Sequence, residues 1–458
     1  MSNRVWIEQT PEKIGETVTI MGWVHARRDH GKLIFIDLRD RSGILQTVAI
    51  GSVDHAMFEI ASTLRAEYVV SLTGEIKARG EKQINTDSAV GGIEMKISAI
   101  EILNESETPV FEIEKAPETS EELRMQYRYL DLRSDRMRHN IQKRHEIVNL
   151  VRNSLIDQKF WEIETPYLTK GTPEGAREFV VPARLQPGEH FVLPQSPQQF
   201  KQLLMVGGVE KYFQIARCFR DEDARGDRQA EFTQVDMELS FVDSEDIMQL
   251  NEKLLIDIVT TLYPEKRIQT LPFPRITYKD AMEQYGNDRP DLRKDKEDPN
   301  LLAFCWVVEF PMFEKVDHKE QPKNPSEWTF THNPFSAPLP EQLELLRSKK
   351  NIGEIISTQY DIVLNGYEIG GGSVRTHRAA DLHKTLEIIG HSDDTIERDF
   401  GHILNAFTYG APPHAGIAWG LERLAMILQG EKSIRDVMAF PKTGDSKDIL
   451  MGAPSKLR

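Results

Sequence analysis

Five segments within residues 1–103 alternate apolar and polar side chains, as strands with one buried face do. Turn residues separate them, and a helical stretch, Asp54 to Leu64, lies between the third and the fourth. The segments read ETVTIMGWVHARRD, LIFIDLRD, GILQTVAI, EYVVSLTGEIKA and GIEMKISAIEIL. This many short strands in about a hundred residues predicts a small closed β-barrel of the OB type.

One face of this barrel is predicted to be basic. Residues 18–48 carry five Lys or Arg against three Asp, although the whole chain has a net charge of −15. In LIFIDLR, strand periodicity places Ile34, Ile36 and Leu38 on one face, and Phe35, Asp37 and Arg39 on the other. Phe35 is then placed to stack on an unpaired base. The alternative is a Phe at the barrel edge that a loop covers.

The rest of the chain predicts a linker and an α+β domain. Residues 104–133 are acidic and contain proline, which is typical of a hinge. From Ser134 the apolar spacing is helical, and a strand containing Pro166 follows. Many strands and two late helices, TIERDFGHILNAFTYG and AGIAWGLERLAMILQG, then predict an antiparallel sheet flanked by helices over residues 134–458.

Composition excludes several classes of protein. No apolar run approaches the length of a membrane span, and the first residues lack a secretory pattern. Two cysteines, Cys218 and Cys305, are too few for a disulfide framework and indicate a reducing cytoplasm. A pI near 5.5 disfavours sequence-blind DNA binding. Neither a P-loop nor a GxGxxG turn occurs, so any nucleotide is bound by another device.

The stretch FRDEDARGDRQAEFTQVD mixes arginines and acids before an alternating run. Gly226 interrupts it and a strand pattern starts at Glu231, which predicts a hairpin loop rather than a helix. Arg220 ends the first strand, where a rigidly held guanidinium can bridge two phosphate oxygens, and Phe232 can stack on a purine. The alternative is an ordinary surface ion pair.

Two further stretches suggest phosphate and cation chemistry. Arg423 lies in GIAWGLERL, where glycines permit close backbone approach at a helix start. Asp361 and Glu368 flank an Asn-Gly turn, a carboxylate pair that suits Mg²⁺ carried in with ATP. Three consecutive glycines then precede Arg375, and glycines inside a strand weaken it.

A set of polar residues within or beside apolar segments predicts an amino-acid pocket. Lys201 and Arg375 together complement a side-chain carboxylate, and Glu174 and Asp236 complement an ammonium group. Such a pocket fits an acidic amino acid. Each of these residues alone is equally explained as a satisfied surface or core polar group.

Three stretches in order carry a resemblance to a known family. FWEIETPYLTKGTPEGAR resembles motif 1 of the class II aminoacyl-tRNA synthetases, FRDEDARGDRQAEFTQVDMELSF resembles motif 2, and GIAWGLERL resembles motif 3. The chain is most similar to the bacterial aspartyl-tRNA synthetases, over nearly its whole length. The resemblance implies ATP-dependent attachment of L-aspartate to tRNA through aspartyl-adenylate, in a cytoplasmic homodimer with Pro166 at its interface.

The resemblance also implies roles for individual residues. Arg220, Arg423 and Glu368 are the catalytic set, Arg220 binding the α-phosphate of ATP and the aspartate carboxylate, and Arg423 binding the γ-phosphate. Asp361 and Glu368 bind Mg²⁺. The remaining ATP-binding residues are Asp221, Glu222, Gln229, Phe232, Gly420, Leu421 and Glu422. The aspartate pocket is formed by Glu174, Ser196, Gln198, Lys201, Arg220, Asp236, His332 and Arg375.

The same resemblance assigns the recognition of tRNA to the barrel. Phe35 and Gln46 match positions that read the central anticodon base, with Arg28 beside them. His30 and Gly80 resemble positions in members that charge both tRNA-Asp and tRNA-Asn, so relaxed specificity is expected, with a tRNA-dependent amidotransferase acting downstream. The alternative is a strict enzyme for tRNA-Asp.

Two departures from the family stand out. The domain that bacterial members carry between PDLR and LLAFCWVVEFPMF is missing, and the motif HHPF reads HNPF, with Asn333 second. Rival interpretations are an asparaginyl- or lysyl-tRNA synthetase, a synthetase-like enzyme that forms amides without tRNA, and a non-catalytic RNA-binding paralogue. The paralogue would lose one of Arg220, Glu368 or Arg423.

Overall fold

A computed structural model describes residues 4–171, 175–317 and 326–456. The chain divides into two compact units, Met1–Arg138 and His139–Arg458. Each unit has its own hydrophobic core. No helix in the described residues is long and apolar enough to cross a membrane.

The first unit contains the predicted OB barrel. Its elements are β1 (Thr17–Asp29), β2 (Leu33–Asp40), β3 (Gly43–Ile50), α1 (His55–Thr63), β4 (Val69–Ala78) and β5 (Ile93–Asn104), with 3-10 turns at Ile7–Lys13 and Glu81–Gln83. The strands close in the order β1-β2-β3-β5-β4. All five strands therefore lie where alternation predicted them, and α1 lies within the predicted helical stretch.

Side chains of β2 follow the predicted two faces, with one exception. Ile34, Ile36 and Leu38 are completely buried, and Phe35 is partly exposed on the other face. Arg39 was expected on an exposed basic face, and this expectation was wrong, because Arg39 is 3% exposed. Its guanidinium forms two hydrogen bonds to the buried Glu67 carboxylate, at 2.6 and 2.8 Å. Because its charge is paired with that of Glu67, Arg39 adds no exposed positive charge to the basic face.

The segment expected as a linker contains short helices. A 3-10 turn spans Ile113–Glu118, followed by α2 (Glu121–Gln126) and α3 (Arg128–Asp131). Both Arg124 and Arg128 donate to Asp131, and all three are buried. Apolar periodicity could not reveal these helices because charged side chains form their buried contacts.

The second unit is built on an eight-stranded sheet. Its first half contains α4 (Asp135–Asp157), which begins just before the division between units, then β6 (Trp161–Glu162), β7 (Val180–Pro182), β8 (His190–Val192), α5 (Gln198–Val206), β9 (Lys211–Phe219), β10 (Glu231–Ser240), α6 (Ser244–Leu262), β11 (Arg267–Ile268), β12 (Arg275–Thr277), α7 (Tyr278–Tyr285), β13 (Leu301–Leu302) and β14 (Phe304–Val308). Its second half contains β15 (Phe313–Lys315), β16 (Trp328–Phe330), α8 (Leu343–Ser348), β17 (Gln359–Leu364), β18 (Tyr367–Val374), α9 (Ala379–Ile388), α10 (Asp393–Phe407), β19 (His414–Gly420) and α11 (Leu421–Leu428), with 3-10 turns at Pro340–Gln342, Ile352–Glu354 and Ile434–Val437.

The strand order of this sheet is β12-β14-β17-β18-β19-β10-β9-β6. The six inner strands pair antiparallel, as predicted, and only the outermost pairs, β12 with β14 and β6 with β9, are parallel. Helices including α4, α6 and α11 bury apolar side chains in the same core as the sheet. This is the α+β architecture expected from the sequence.

Two segments differ from their predictions. The strand expected around Pro166 is reduced to β6, two residues at the edge of the sheet. The first half of AGIAWGLERLAMILQG, predicted as helix, is β19, and only α11 is helical. Most of β19 is buried on both faces, and its sequence is apolar after His414, so it lacks strand alternation.

Candidate active site and anticodon face

A cavity of about 370 Å³ opens over the central strands of the second unit. Most of the predicted site residues line it: Ser196, Gln198, Lys201, Arg220, Glu222, Gln229, Phe232, Asp236, His332, Asp361, Glu368, Arg375, Gly420, Glu422 and Arg423. Asp221 is exposed and Leu421 is buried in the core, so neither lines the cavity. Glu174 lies outside the described residues.

The hairpin of β9 and β10 positions Arg220 and Phe232. Phe232 pairs with Cys218 in the antiparallel register, so Arg220 lies just beyond the paired strands. Its guanidinium carbon lies 5.1 Å from the centre of the Phe232 ring, and Nε donates to Gln195 O at 3.3 Å. A cation held beside an aromatic face can bind a phosphate next to a stacked base.

The loop of this hairpin is organised by side chains. Arg228 forms an ion pair with Glu222 at 3.0 Å, and Gln229 Oε1 accepts a hydrogen bond from the backbone N–H of Lys442 at 2.8 Å. Gln229 is buried, and no acceptor in the described residues reaches its Nε2. Because an unpaired buried donor is costly, this amide is suited to an acceptor on a bound ligand.

Arg423 lies near the start of α11 and is held on two sides. Its Nη1 donates to Glu368 O at 2.8 Å and its Nε to Asp227 O at 3.1 Å, with the Asp227 carboxylate 3.2 Å from Nη2. The neighbouring Glu422 is committed to structure, because it accepts from the Thr233 N–H at 3.0 Å and from Arg144 at 2.8 Å. Of these two residues, Arg423 has the more exposed charge.

Two carboxylates, Asp361 and Glu368, lie on neighbouring strands at the cavity. Asp361 Oδ1 accepts from Gln359 Nε2 at 2.8 Å, and Oδ2 lies 3.3 Å from His332 Nε2. Burial and the Asp361 charge raise the pKa of Glu368, although Arg423 and His332 oppose the shift. Burial lowers the pKa of His332, but Asp361 and Glu368 more than offset this and raise it overall. A carboxylate pair that repels itself in this way fits a divalent cation.

The amino-acid side of the cavity contains a buried ion cluster. Lys201 Nζ lies 2.6 Å from Asp236 Oδ1 and 3.1 Å from Glu238 Oε2, and Arg375 Nε lies 3.0 Å from Glu238 Oε1. Burial raises the pKa of Asp236. Burial would also raise the pKa of Glu238, but Arg375 and Lys201 hold it below its ordinary value. The two cations predicted to face a carboxylate are therefore already paired with acids in the protein.

Glu238 was missed by the sequence analysis. It follows Asp236 by two residues on β10, so strand periodicity places both side chains on one face. Gly416 on β19 permits this arrangement, because a Cβ there would lie 1.9 Å from Glu238 Oε2. Gly371 is similarly constrained, since its Cβ would lie 2.5 Å from Asp361 Oδ1. These two glycines are thus required by the buried acids beside them.

Gln359 and Asn333 also line the cavity. Gln359 fixes one oxygen of Asp361, as described above, and is two residues before it on β17. Asn333 Oδ1 accepts from the Phe335 N–H at 3.0 Å. The side chain of Asn333 therefore stabilises its own turn, and its amide group remains at the cavity wall.

The predicted anticodon residues lie together on the barrel of the first unit. The rings of His30 and Phe35 meet edge to face at 5.6 Å between centroids. Arg28 donates to Gln46 Oε1 at 3.3 Å and to both oxygens of Asp37, at 2.6 and 3.0 Å. Gln46 Nε2 donates in turn to Glu94, an additional residue of this face, at 3.1 Å. Gly80 is exposed at the start of the turn Glu81–Gln83.

Comparisons with known proteins agree with both units. Residues 120–444 match the family described as tRNA synthetases class II (D, K and N), and residues 18–103 match the OB-fold nucleic acid binding domain. The aspartate–tRNA ligase of Macrococcus caseolyticus is 37% identical, with 98% of this chain and 95% of the relative covered. The aspartate–tRNA(Asp/Asn) ligase of Halothermothrix orenii is 39% identical, with 97% and 94% covered.

Among solved structures, the asparaginyl-tRNA synthetase of Pyrococcus horikoshii complexed with asparaginyl-adenylate superposes with a TM-score of 0.76 at 25% identity, covering 97% of this chain and 99% of that one. The alignment with the Macrococcus caseolyticus relative spans 573 positions, more than the 458 residues of this chain. That relative therefore contains sequence that this chain lacks, in agreement with the missing domain noted above.

Proposed function

The chain belongs to the class II tRNA synthetases, within the aspartate–tRNA ligases, and we propose that it charges both tRNA-Asp and tRNA-Asn with L-aspartate through aspartyl-adenylate. The observation that carries this proposal is the position of the Lys201–Asp236–Glu238–Arg375 cluster in the same cavity as Arg220 and Arg423. An amino-acid pocket and a triphosphate site that share one wall allow a carboxylate to meet an α-phosphate.

ATP occupies the side of the cavity formed by motifs 2 and 3. Its adenine stacks on Phe232, where Glu222 and Gln229 supply polar contacts, and Arg220 binds the α-phosphate. Arg423 binds the γ-phosphate at the far end. The proposed ATP-binding set is completed by backbone groups at four further residues, Asp221, Gly420, Leu421 and Glu422. Leu421 can contribute only in this way, because its side chain does not line the cavity.

Asp361 and Glu368 would hold Mg²⁺ that arrives with ATP. The cation supplies positive charge against the phosphates, which the carboxylates anchor on the protein side. Burial, together with the charge of Asp361, raises the pKa of Glu368, and a bound cation would offset both effects. Within the chain itself, Gln359 and His332 keep the Asp361 carboxylate in a fixed orientation.

L-Aspartate occupies the other side, where Lys201 and Arg375 attract its side-chain carboxylate. Asp236 receives its ammonium group, and Ser196, Gln198, His332 and the proposed Glu174 complete the pocket. Glu238 holds both cations in place without contacting the ligand. A lysine substrate is disfavoured because its ammonium would face these two cations, and an asparagine substrate would not require them.

The reaction follows from positioning. An oxygen of the aspartate α-carboxylate attacks the α-phosphorus of ATP, a P–O bond forms, and the bond to pyrophosphate breaks. The terminal ribose hydroxyl of tRNA then attacks the aspartyl carbonyl, and AMP leaves. Arg220 neutralises charge that develops on the α-phosphate, while Arg423 keeps the leaving pyrophosphate in line.

The barrel face of Phe35, Gln46 and Arg28 binds the anticodon. Gly80, which is small and exposed, and His30 next to Phe35, whose ring can form a hydrogen bond, tolerate either third anticodon base. Relatives are named aspartate–tRNA ligase or aspartate–tRNA(Asp/Asn) ligase, and the second name supports the relaxed specificity. The aspartyl-tRNA-Asn formed in this way must then be converted to asparaginyl-tRNA-Asn by a separate tRNA-dependent amidotransferase.

A homodimer completes the proposal. Trp161 on the edge strand β6 is 64% exposed, and Tyr167 and Leu168 beyond Pro166 are also exposed. A second copy of this segment would cover these apolar side chains. The non-catalytic alternative is disfavoured because Arg220, Glu368 and Arg423 all line one cavity.

Aspartate charging of three transcripts at one stated salt concentration tests the proposal. They are tRNA-Asp, tRNA-Asn, and tRNA-Asp with only its third anticodon base exchanged for that of tRNA-Asn. Charging of all three at similar rates is expected. If only tRNA-Asp with its own anticodon is charged, the enzyme is strict for tRNA-Asp. Absence of aspartate-dependent pyrophosphate exchange would overturn the enzymatic assignment itself.

A further inference from the structure

Three fully connected side chains run from the cavity wall into the protein. Gln198 Nε2 and Gln202 Oε1 are 3.0 Å apart on successive turns of α5. Gln202 Nε2 lies 3.0 Å from His414 Nε2, and His414 Nδ1 lies 2.8 Å from Pro412 O. Gln202 and His414 are completely buried, and Gln198 lines the cavity.

The direction of every hydrogen bond in this chain is fixed from its inner end. Pro412 O can only accept, so His414 Nδ1 carries the proton. The neutral ring then accepts at Nε2, which requires the NH₂ group of Gln202 to point toward His414. Gln202 Oε1 is consequently an acceptor for the NH₂ group of Gln198. Burial lowers the pKa of His414, in agreement with a neutral ring.

From this we infer that Gln202 and His414 are positioning residues that hold the Gln198 amide with its oxygen toward the cavity, where it accepts a hydrogen bond from the ammonium group of aspartate. The inference rests on the proposed function and assigns a role to two residues that do not contact the substrate. No donor from the described residues reaches Gln198 Oε1.

A second acceptor lies in the same wall. Asp236 lines the same cavity, and its Oδ2 receives no hydrogen bond within the described residues. The Tyr212 hydroxyl donates to Gln214 Oε1 at 2.9 Å. An ammonium group has three donors, so it can satisfy both Gln198 Oε1 and Asp236 Oδ2. If the amide of Gln198 were reversed, its NH₂ group would face the ammonium and repel it.

Gln202→Leu removes the acceptor that holds Gln198, and His414→Phe removes the acceptor that holds Gln202 while keeping a ring of similar shape. Gln199→Leu is the matched control. Gln199 lies on the same helix, is also buried, and bonds to a histidine, with Gln199 Oε1 2.5 Å from His402 Nε2, but it does not line the cavity.

The measurement is aspartate-dependent pyrophosphate exchange with the full chain, which gives KM for aspartate, KM for ATP and kcat. Inhibition by succinate, which has both carboxylates of aspartate and no ammonium group, is measured in the same assay. Gln202→Leu should raise KM for aspartate about tenfold. The inhibition constant of succinate and KM for ATP should stay unchanged, as should all constants of Gln199→Leu. His414→Phe should act in the same direction.

A general disturbance of the pocket would weaken succinate and aspartate together, and that result would overturn the inference. Unchanged aspartate binding in both folded variants would also overturn it. If Gln202→Leu does not fold, His414→Phe alone decides between these outcomes. Failure of the proposed function is distinguishable, because the unaltered protein would then show no aspartate-dependent exchange.

Discussion

Residue by residue, the amino-acid pocket balances its charges before any ligand enters. Two cations and two acids lie within ion-pair distance of one another, all of them nearly inaccessible to solvent. Sequence reasoning predicted Lys201, Arg375 and Asp236 from residue type and resemblance. It missed Glu238, because a glutamate in an alternating strand is normally a solvent-facing residue and only the neighbouring Gly416 leaves space for it.

Arg220→Ala should reduce the rate of aspartate-dependent pyrophosphate exchange by about 10²–10³-fold, since it removes a preorganised cation from the α-phosphate. Arg217→Ala is the control: this neighbouring arginine pairs with Glu231 at 2.7 Å and does not line the cavity. Both variants should keep the circular dichroism spectrum of the parent. Near-normal exchange by Arg220→Ala would contradict the assignment.

Gln359→Leu should raise KM for ATP about tenfold at limiting Mg²⁺, because Asp361 loses the N–H that orients its carboxylate. Excess Mg²⁺ should restore part of the loss. Titration of exchange against Mg²⁺ at fixed ATP measures the effect. Thr358→Val alters the adjacent residue, which bonds to backbone carbonyls outside the cavity, and it should leave the titration unchanged.

At the scale of elements, alternation predicted the strands that have one buried and one open face. The barrel strands such as β1, and β9 in the second unit, are of this kind, whereas β10 alternates in sequence although both of its faces are buried beyond Phe232. Alternation failed for β19, which is covered on both faces, and for β6, whose Trp161 side chain faces solvent in the single chain. In such places the pattern depends on neighbours that are distant in sequence, so local periodicity lacks the information.

Glu387 on α9 forms ion pairs within its own helix and with the end of α8. The contribution of these ion pairs to the free energy of unfolding depends on pH. Glu387 Oε2 lies 2.7 Å from Lys384 Nζ and 2.8 Å from Lys349 Nζ, and these ammonium groups lower its pKa to about 2. The folded pKa is depressed, so the stabilisation is present above the ordinary carboxyl range and is lost as pH falls toward 2.

Glu387→Gln should therefore lower Tm by about 1–2 °C at pH 7. The difference from the parent should shrink steadily below about pH 4.5. Melting curves at several pH values, followed by circular dichroism, provide the measurement, and exposed Glu341→Gln serves as control. A difference in Tm that is constant with pH would show that the lysine pairs are not its origin.

At the scale of the whole molecule, binding and chemistry are assigned to separately folded parts. The sequence predicted a barrel, a linker and an α+β domain, and the first unit has a core of its own around residues such as Ile20, Ile34 and Leu72. Sequence alone could not show that residues 113–131 form buried ion pairs within the first unit. A sequence rich in charged side chains predicts a solvated linker, because the ion pairs that bury those charges cannot be recognised from the sequence.

Residues 1–138, expressed alone, should consequently fold with a cooperative thermal transition, because the barrel closes without strands from elsewhere. Residues 134–458, expressed alone, should retain aspartate-dependent pyrophosphate exchange within a few-fold of the full chain, since every residue of the cavity lies in them. Charging of tRNA should fall much further, and the loss should be largest at low salt, because the phosphate contacts of the barrel contribute most to tRNA binding there. A folded fragment 134–458 that has lost exchange would show that adenylate formation depends on the barrel, and would contradict this separation of roles.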